Sequence, residues 1–132
     1  MKKWLLIIVC LFIAFVGCGQ NAQRETKNTE YRKISAEEAK KMLDENPDII
    51  LLDVRTEAEY KEIRMPGSVL LPGNEIENKA AGILPDKEAL IFVYCRSGMR
   101  SNAAANKLIS MGYTNVYDMG GIMSWPYETE KG

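Results

Sequence analysis

Six consecutive residues, Cys95-Arg96-Ser97-Gly98-Met99-Arg100, concentrate the chemistry that this sequence offers. A cysteine reacts as its thiolate, and an ordinary thiol pKa of ~8.5 falls towards neutrality beside cations or at the start of a helix. Arg96 and Arg100 bring positive charge, Ser97 and the adjoining Ser101 bring hydroxyls, and Gly98 permits a backbone turn that a side chain would resist. Together they describe a cradle for one small anion around a nucleophilic sulfur. Cys95 is the expected reacting group, Arg96, Ser97, Gly98, Met99 and Arg100 the expected binding loop, and Ser101 a support. A cysteine at a strand end is often buried and inert. A core thiol, however, has no use for two arginines, two serines and a glycine wrapped around it.

Composition narrows the chemistry further. The 132 residues contain no histidine, which excludes a Ser-His-Asp triad, a Cys-His pair and any histidine-ligated metal site. The thiol must therefore be activated by charge and backbone dipoles. Seventeen basic and eighteen acidic residues give a net charge of −1, with no basic block to follow a phosphate backbone, so nucleic acid is not an expected partner. No cofactor is implied. The length suits one domain, expected to act as a monomer.

Three cysteines are present, and the first two lie in a different context. Met1-Lys2-Lys3, the apolar run Trp4 to Val16 and then Gly17-Cys18 form a charged, apolar and small-residue sequence typical of an export signal. The apolar run is shorter than the ~20 residues of a membrane-spanning helix. Phe15-Val16-Gly17-Cys18 resembles the lipobox of bacterial lipoproteins, with Phe15 where leucine is usual. The resemblance implies a lipoprotein signal over residues 1–17, lipidation of Cys18 and anchoring of the exported chain to the bacterial membrane. Residues 18–30 are polar and read as a flexible tether, and residues 31–132 as the globular domain. Cys95 is then the only free thiol of the mature chain, so its persistence needs no disulfide and asks for a chemical role.

The elements that must position the loop follow from patterning. Ser35-Ala36-Glu37-Glu38 and Thr56-Glu57-Ala58-Glu59 each have the Ser/Thr-x-x-Glu form of a capping box and predict two helix starts. Ile49-Ile50-Leu51-Leu52, Ser68 to Leu71, Leu90 to Tyr94 and Asn115 to Asp118 are short apolar runs that suit buried parallel strands. Asn74 to Ala81 and Ser101 to Met111 read as helices, the second capped by Gly112. Strands alternating with helices predict an α/β fold with a parallel sheet, whose ligand site lies beyond the carboxyl ends of the strands. Cys95 falls at such an end.

From Ser35 to Trp125 the chain resembles the rhodanese-like domain. The motifs that carry the resemblance are Leu52-Asp53-Val54-Arg55 followed by Glu59-Tyr60, then Pro66-Gly67-Ser68, the segment Val93 to Ser101, and Gly120-Gly121-Ile122 with Trp125. The resemblance implies a five-stranded parallel sheet flanked by helices on both faces, and a single-domain sulfurtransferase. In it Cys95 forms a persulfide by taking sulfane sulfur from thiosulfate or a similar small anion and passes it to an external thiol or cyanide. By the same carry-over Asp53 and Arg55 are supports near the site. One departure stands out: Ile63-Arg64 occupies the place of the family's usual Gly-His, and Arg64 is a candidate source of extra positive charge. Two other readings compete. A Cys-dependent phosphatase or arsenate reductase of related fold would need one residue more between cysteine and arginine than Cys95 and Arg100 enclose. A non-catalytic membrane-tethered binding module could dispense with the cysteine that this loop retains. The lipobox reading has a direct check: Cys18→Ala should move the chain from the membrane to the soluble fraction, as followed by immunoblot and by metabolic labelling with a fatty acid.

Overall fold

The computed structural model describes residues 29–132. The signal, Cys18 and most of the tether lie outside these residues. Among the described residues no helix is long and apolar enough to cross a membrane.

Five strands form one wholly parallel sheet: β1 (Arg32–Lys33), β2 (Ile50–Asp53), β3 (Val69–Leu70), β4 (Leu90–Cys95) and β5 (Asn115–Gly121), ordered β1-β5-β4-β2-β3. Four helices join them: α1 (Ala36–Glu45), α2 (Glu57–Glu62), α3 (Ile76–Ile83) and α4 (Met99–Ser110). The fold is the α/β architecture with helices on both faces that the motifs imply.

Pleating sends alternate residues of each strand to opposite faces. From β4, Ile91, Val93 and Cys95 enter a core closed by Ile76 and Ala80 of α3 and by Ala104, Ala105 and Leu108 of α4. Phe92 and Tyr94 enter the other core, closed by Ala39, Met42 and Leu43 of α1 together with Met65 and Trp125. Both faces are buried, which is why the strands read as unbroken apolar runs.

Both capping boxes form. Ser35 Oγ accepts from the Glu38 amide at 3.1 Å while Glu38 Oε2 accepts from the Ser35 amide at 3.3 Å. Thr56 Oγ1 accepts from the Glu59 amide at 3.2 Å and Glu59 Oε1 from the Thr56 amide at 3.4 Å. Helix α4 ends as Gly112 predicts, with φ of 96° at that glycine. The amides of Gly112 and Tyr113 then reach back to the carbonyls of Ile109 and Leu108 at 3.0 and 3.1 Å.

Four boundaries differ from expectation. Strand β1 was not visible in the pattern, because it is two exposed charged residues held only by pairing Arg32 with Tyr117 and Lys33 with Asp118. Helix α4 begins at Met99, not Ser101, since its first two residues are exposed and add nothing to an apolar period. The helix expected at Asn74 opens as a 3-10 turn over Gly73–Glu75 and becomes α-helical at Ile76. Strand β5 runs on to Gly121, past Asp118, through a register shift between Val93 and Cys95.

That extension explains the paired glycines. A Cβ on Gly121 would lie 2.2 Å from the Arg96 carbonyl oxygen and 2.7 Å from Ser97 Cα, so the strand can pass the Cys95 loop only without a side chain. Gly121→Ala should lower the unfolding free energy by about 1–3 kcal/mol and displace the loop, measurable as a shifted urea midpoint.

Candidate functional site

The site forms where β4 gives way to α4. Cys95 is the last residue of β4 and 1% exposed, so its thiol points into the layer beneath α4. Gly98 takes φ of 109° at the N-cap of α4 and turns the chain so that its amide donates to Cys95 Sγ at 3.0 Å. A residue with a side chain resists that conformation. Ser101 is fully buried, and its hydroxyl lies 3.0 Å from the Gly98 carbonyl oxygen and 3.4 Å from that of Gly120.

Burial raises the Cys95 pKa, but the Ser101 hydroxyl and the amides of Ser101, Gly98 and Ser97 outweigh it, so the thiol lies below its ordinary value. The amides of Gly98 and Ser101 are among the unpaired N–H groups that every helix start presents. The sequence suggested helix-start amides together with added charge from the two arginines. Arg100, however, feels the sulfur only through longer-range attraction, and Arg96 is exposed and forms no ion pair among the described residues.

Arg100 is engaged elsewhere. Its Nη1 and Nη2 donate to Glu59 Oε1 and Oε2 at 2.7 and 2.9 Å, a two-pronged fork from α4 to α2. The fork holds the Glu59 carboxyl at about 2, well below the usual carboxylate range. Met99 is 83% exposed and Met123 70%, and both border the loop, with the Met123 amide donating to the Arg96 carbonyl at 3.2 Å.

Asp53 and Arg55 support the site from beneath. Asp53 is fully buried and Arg55 3% exposed. Arg55 Nε donates to both carboxylate oxygens at 3.0 and 3.1 Å, its Nη2 to Oδ2 at 2.7 Å, and its amide to Oδ1 at 3.0 Å. Tyr94, the residue before Cys95, donates its hydroxyl to Asp53 Oδ2 at 2.6 Å and accepts from the Met65 amide at 3.1 Å. Burial and the Asp53 bond push the Tyr94 hydroxyl up to about 12, so it remains a donor. Arg55 Nη2 also reaches the Ile63 carbonyl at 2.6 Å, so the segment that departs from the family motif is tied to the network through its backbone. Arg64 supplies no charge to the loop: its Nε pairs with Glu130 Oε1 at 3.0 Å and its guanidinium lies over the Tyr60 ring.

The structure thus gathers Cys95, Ser97, Gly98 and Ser101 around the sulfur, turns Arg100 away to Glu59, and leaves Arg96 and Met99 on the rim. Tyr94 and Glu59 were missed as site-forming residues. Tyr94 is hidden inside an apolar strand, whereas Glu59 had a visible signal in its capping box. Among the described residues no group of three or more Cys, Asp and Glu could hold a metal ion.

Residues 35–127 match the family model of the rhodanese-like domain. The chain belongs to that family. It is 36% identical over 94 residues to the adenylyltransferase and sulfurtransferase of Meyerozyma guilliermondii, covering 65% of this chain but only 22% of that protein. It is 35% identical over 71 residues to the thiosulfate sulfurtransferase PspE of Escherichia coli, covering 54% of this chain and 68% of that one. Among solved structures, a rhodanese with anions from Escherichia coli superposes with a TM-score of 0.60 at 32% identity, over 64% of this chain and 99% of that chain.

The alkylation rate of Cys95 with iodoacetamide should have its pH midpoint below that of an unperturbed thiol, since a lowered pKa supplies thiolate at lower pH. Ser101→Ala should raise the midpoint by removing the hydroxyl beside the sulfur, and by more than Arg100→Ala does.

Proposed function

We propose that this chain is a sulfurtransferase in which Cys95 carries the transferred sulfur as a persulfide. The observation that supports this most directly is the Cys95 thiol itself, set at a strand end with the Gly98 amide 3.0 Å from Sγ. Family membership and the sulfurtransferase relatives support the reaction class.

The chemistry balances without a cofactor. The Cys95 thiolate attacks the outer sulfur of thiosulfate, forming a new S–S bond while the old one breaks and sulfite departs with its electron pair. Ser97, Gly98 and Ser101 then hold the terminal sulfur of the persulfide by hydrogen bonds made to an anion, the setting in which such bonds are strongest. Arg96, exposed and free of an ion pair among the described residues, attracts the dianionic donor to the rim. An acceptor, cyanide or an external thiol, attacks the outer sulfur in turn and regenerates the thiolate. Asp53, Arg55 and Tyr94 touch no reacting atom in this scheme and fix the strand ends on which the loop stands.

Thiosulfate is the proposed donor because it is a small anion with a sulfur open to attack, and because the Escherichia coli relative is a thiosulfate sulfurtransferase. Phosphoryl transfer is disfavoured by the spacing, since Cys95 and Arg100 enclose four residues where a phosphatase loop has five, and Arg100 is already held by Glu59. The lipid anchor on Cys18 belongs to the same proposal and would hold the domain at the membrane surface through residues 18–30, on the strength of the lipobox-like Phe15 to Cys18.

Mass spectrometry of the purified chain after incubation with thiosulfate should show the gain of one sulfur atom on Cys95, removed by cyanide. Cys95→Ser should show neither the adduct nor thiocyanate formation, because no base in the loop ionises a hydroxyl. Thiocyanate production by Cys95→Ser at the rate of the unmodified chain would refute the assignment.

A further inference from the structure

The Glu59 carboxylate lies in an unusual position for a loop that receives anions. It is the third residue of α2, its side chain 24% exposed, and lines the cleft between α2 and the Cys95 loop together with a second carboxylate, Glu62, and with Arg55, Arg96, Ile122 and Met123. A carboxylate there should repel an incoming anion. Its geometry is nevertheless over-determined: Oε1 accepts from the Thr56 amide, from Thr56 Oγ1 at 3.1 Å and from Arg100 Nη1 at 2.7 Å, while Oε2 takes Arg100 Nη2 at 2.9 Å. The capping box fixes the carboxylate, and the fork fixes the arginine. Arg100 is the second residue of α4 and lies close enough to Cys95 for the two to attract.

We infer that Glu59 is a positioning residue that sets the affinity of the loop for dianions, by holding Arg100 in a fork whose charges cancel beside the Cys95 cradle. Two consequences follow from the charge. With the fork closed, the cradle binds anions through backbone amides, the Ser101 hydroxyl and the lone guanidinium of Arg96. Any dianion at the mouth, thiosulfate and sulfate alike, then meets only that weak, short-range set of donors and loses the full cation that would otherwise hold it.

This inference rests on the proposed reading of the loop as an anion cradle, and the test separates the two. The probe is inorganic sulfate, and the readout is the ratio of Cys95 alkylation rates without and with sulfate in the purified full chain. That ratio is independent of turnover and corrects for any change in the reactivity of the thiol. Glu59→Gln keeps the capping box, which accepts glutamine as well as glutamate. It frees the arginine, so sulfate should protect at about three- to tenfold lower concentration, as one extra charge near a dianion at moderate salt predicts. Arg100→Ala leaves the carboxylate uncompensated and should weaken protection by a similar factor. The double variant returns the mouth to its original net charge and should come back to within about twofold of the unmodified chain.

A purely structural brace gives a different pattern, in which both single variants and the double variant all weaken protection together with the urea midpoint. That result would overturn the role assigned to Glu59, as would unchanged protection in Glu59→Gln when the unmodified chain is protected. Absence of protection in the unmodified chain and in Glu59→Gln alike would refute the anion cradle itself.

Discussion

The buried pair of Asp53 and Arg55 is the constraint on which the loop depends. A carboxylate and a guanidinium removed from water are costly unless nearly every lone pair and proton finds a partner. Here the Asp53 oxygens take Arg55 Nε, Nη2 and the Arg55 amide, and the Tyr94 hydroxyl completes them. Because Asp53 stands opposite Tyr94 in the β2–β4 register, the network locks the carboxyl ends of two adjacent strands at one level. Removing one partner of such a pair typically costs about 3–5 kcal/mol. The position of Cys95, one residue beyond Tyr94, follows from that lock.

Charge control at the thiol is divided between two kinds of group. Close to the sulfur the work falls to neutral dipoles: amides of Ser97, Gly98 and Ser101 and one hydroxyl. These cannot be titrated away, and preorganised dipoles in a dry setting need no rearrangement when charge arrives. Formal charges lie further out, at Arg96 and in the fork of Glu59 with Arg100. A chain without histidine can therefore keep a lowered thiol pKa without placing a bare cation against the sulfur.

Much of this was legible in the sequence. The two capping boxes, the run Leu90 to Tyr94 and the glycine at 112 all mark local structure made by neighbouring residues, and each forms at its expected place, within a residue or two. The cysteine loop was legible for the same reason, its donors lying within six residues of the sulfur. What could not be read was pairing at a distance. Glu59 and Arg100 are 41 residues apart, and only the parallel sheet brings α2 against the start of α4. Arg64 illustrates the opposite error: its charge suggested a place at the loop, yet the fold turns it to Glu130. Strand β1 carries no apolar signal because an edge strand of two exposed residues has nothing to bury.

The strand order also has a kinetic meaning. Among the described residues β1 is the first element, and it pairs with β5, the last strand, with Arg32 seated beside Tyr117. The backbone of Arg64 is likewise closed by that of Glu130, two residues from the chain's end. During synthesis the sheet cannot be completed until its final strand has emerged. The growing chain has β2, β3 and β4 to assemble first, and the loop after β4 stays unsupported until Gly121 arrives beneath Arg96. The Cys95 loop can thus take its final form only once the last strand closes the sheet, a long-range pairing of the kind that forms slowly.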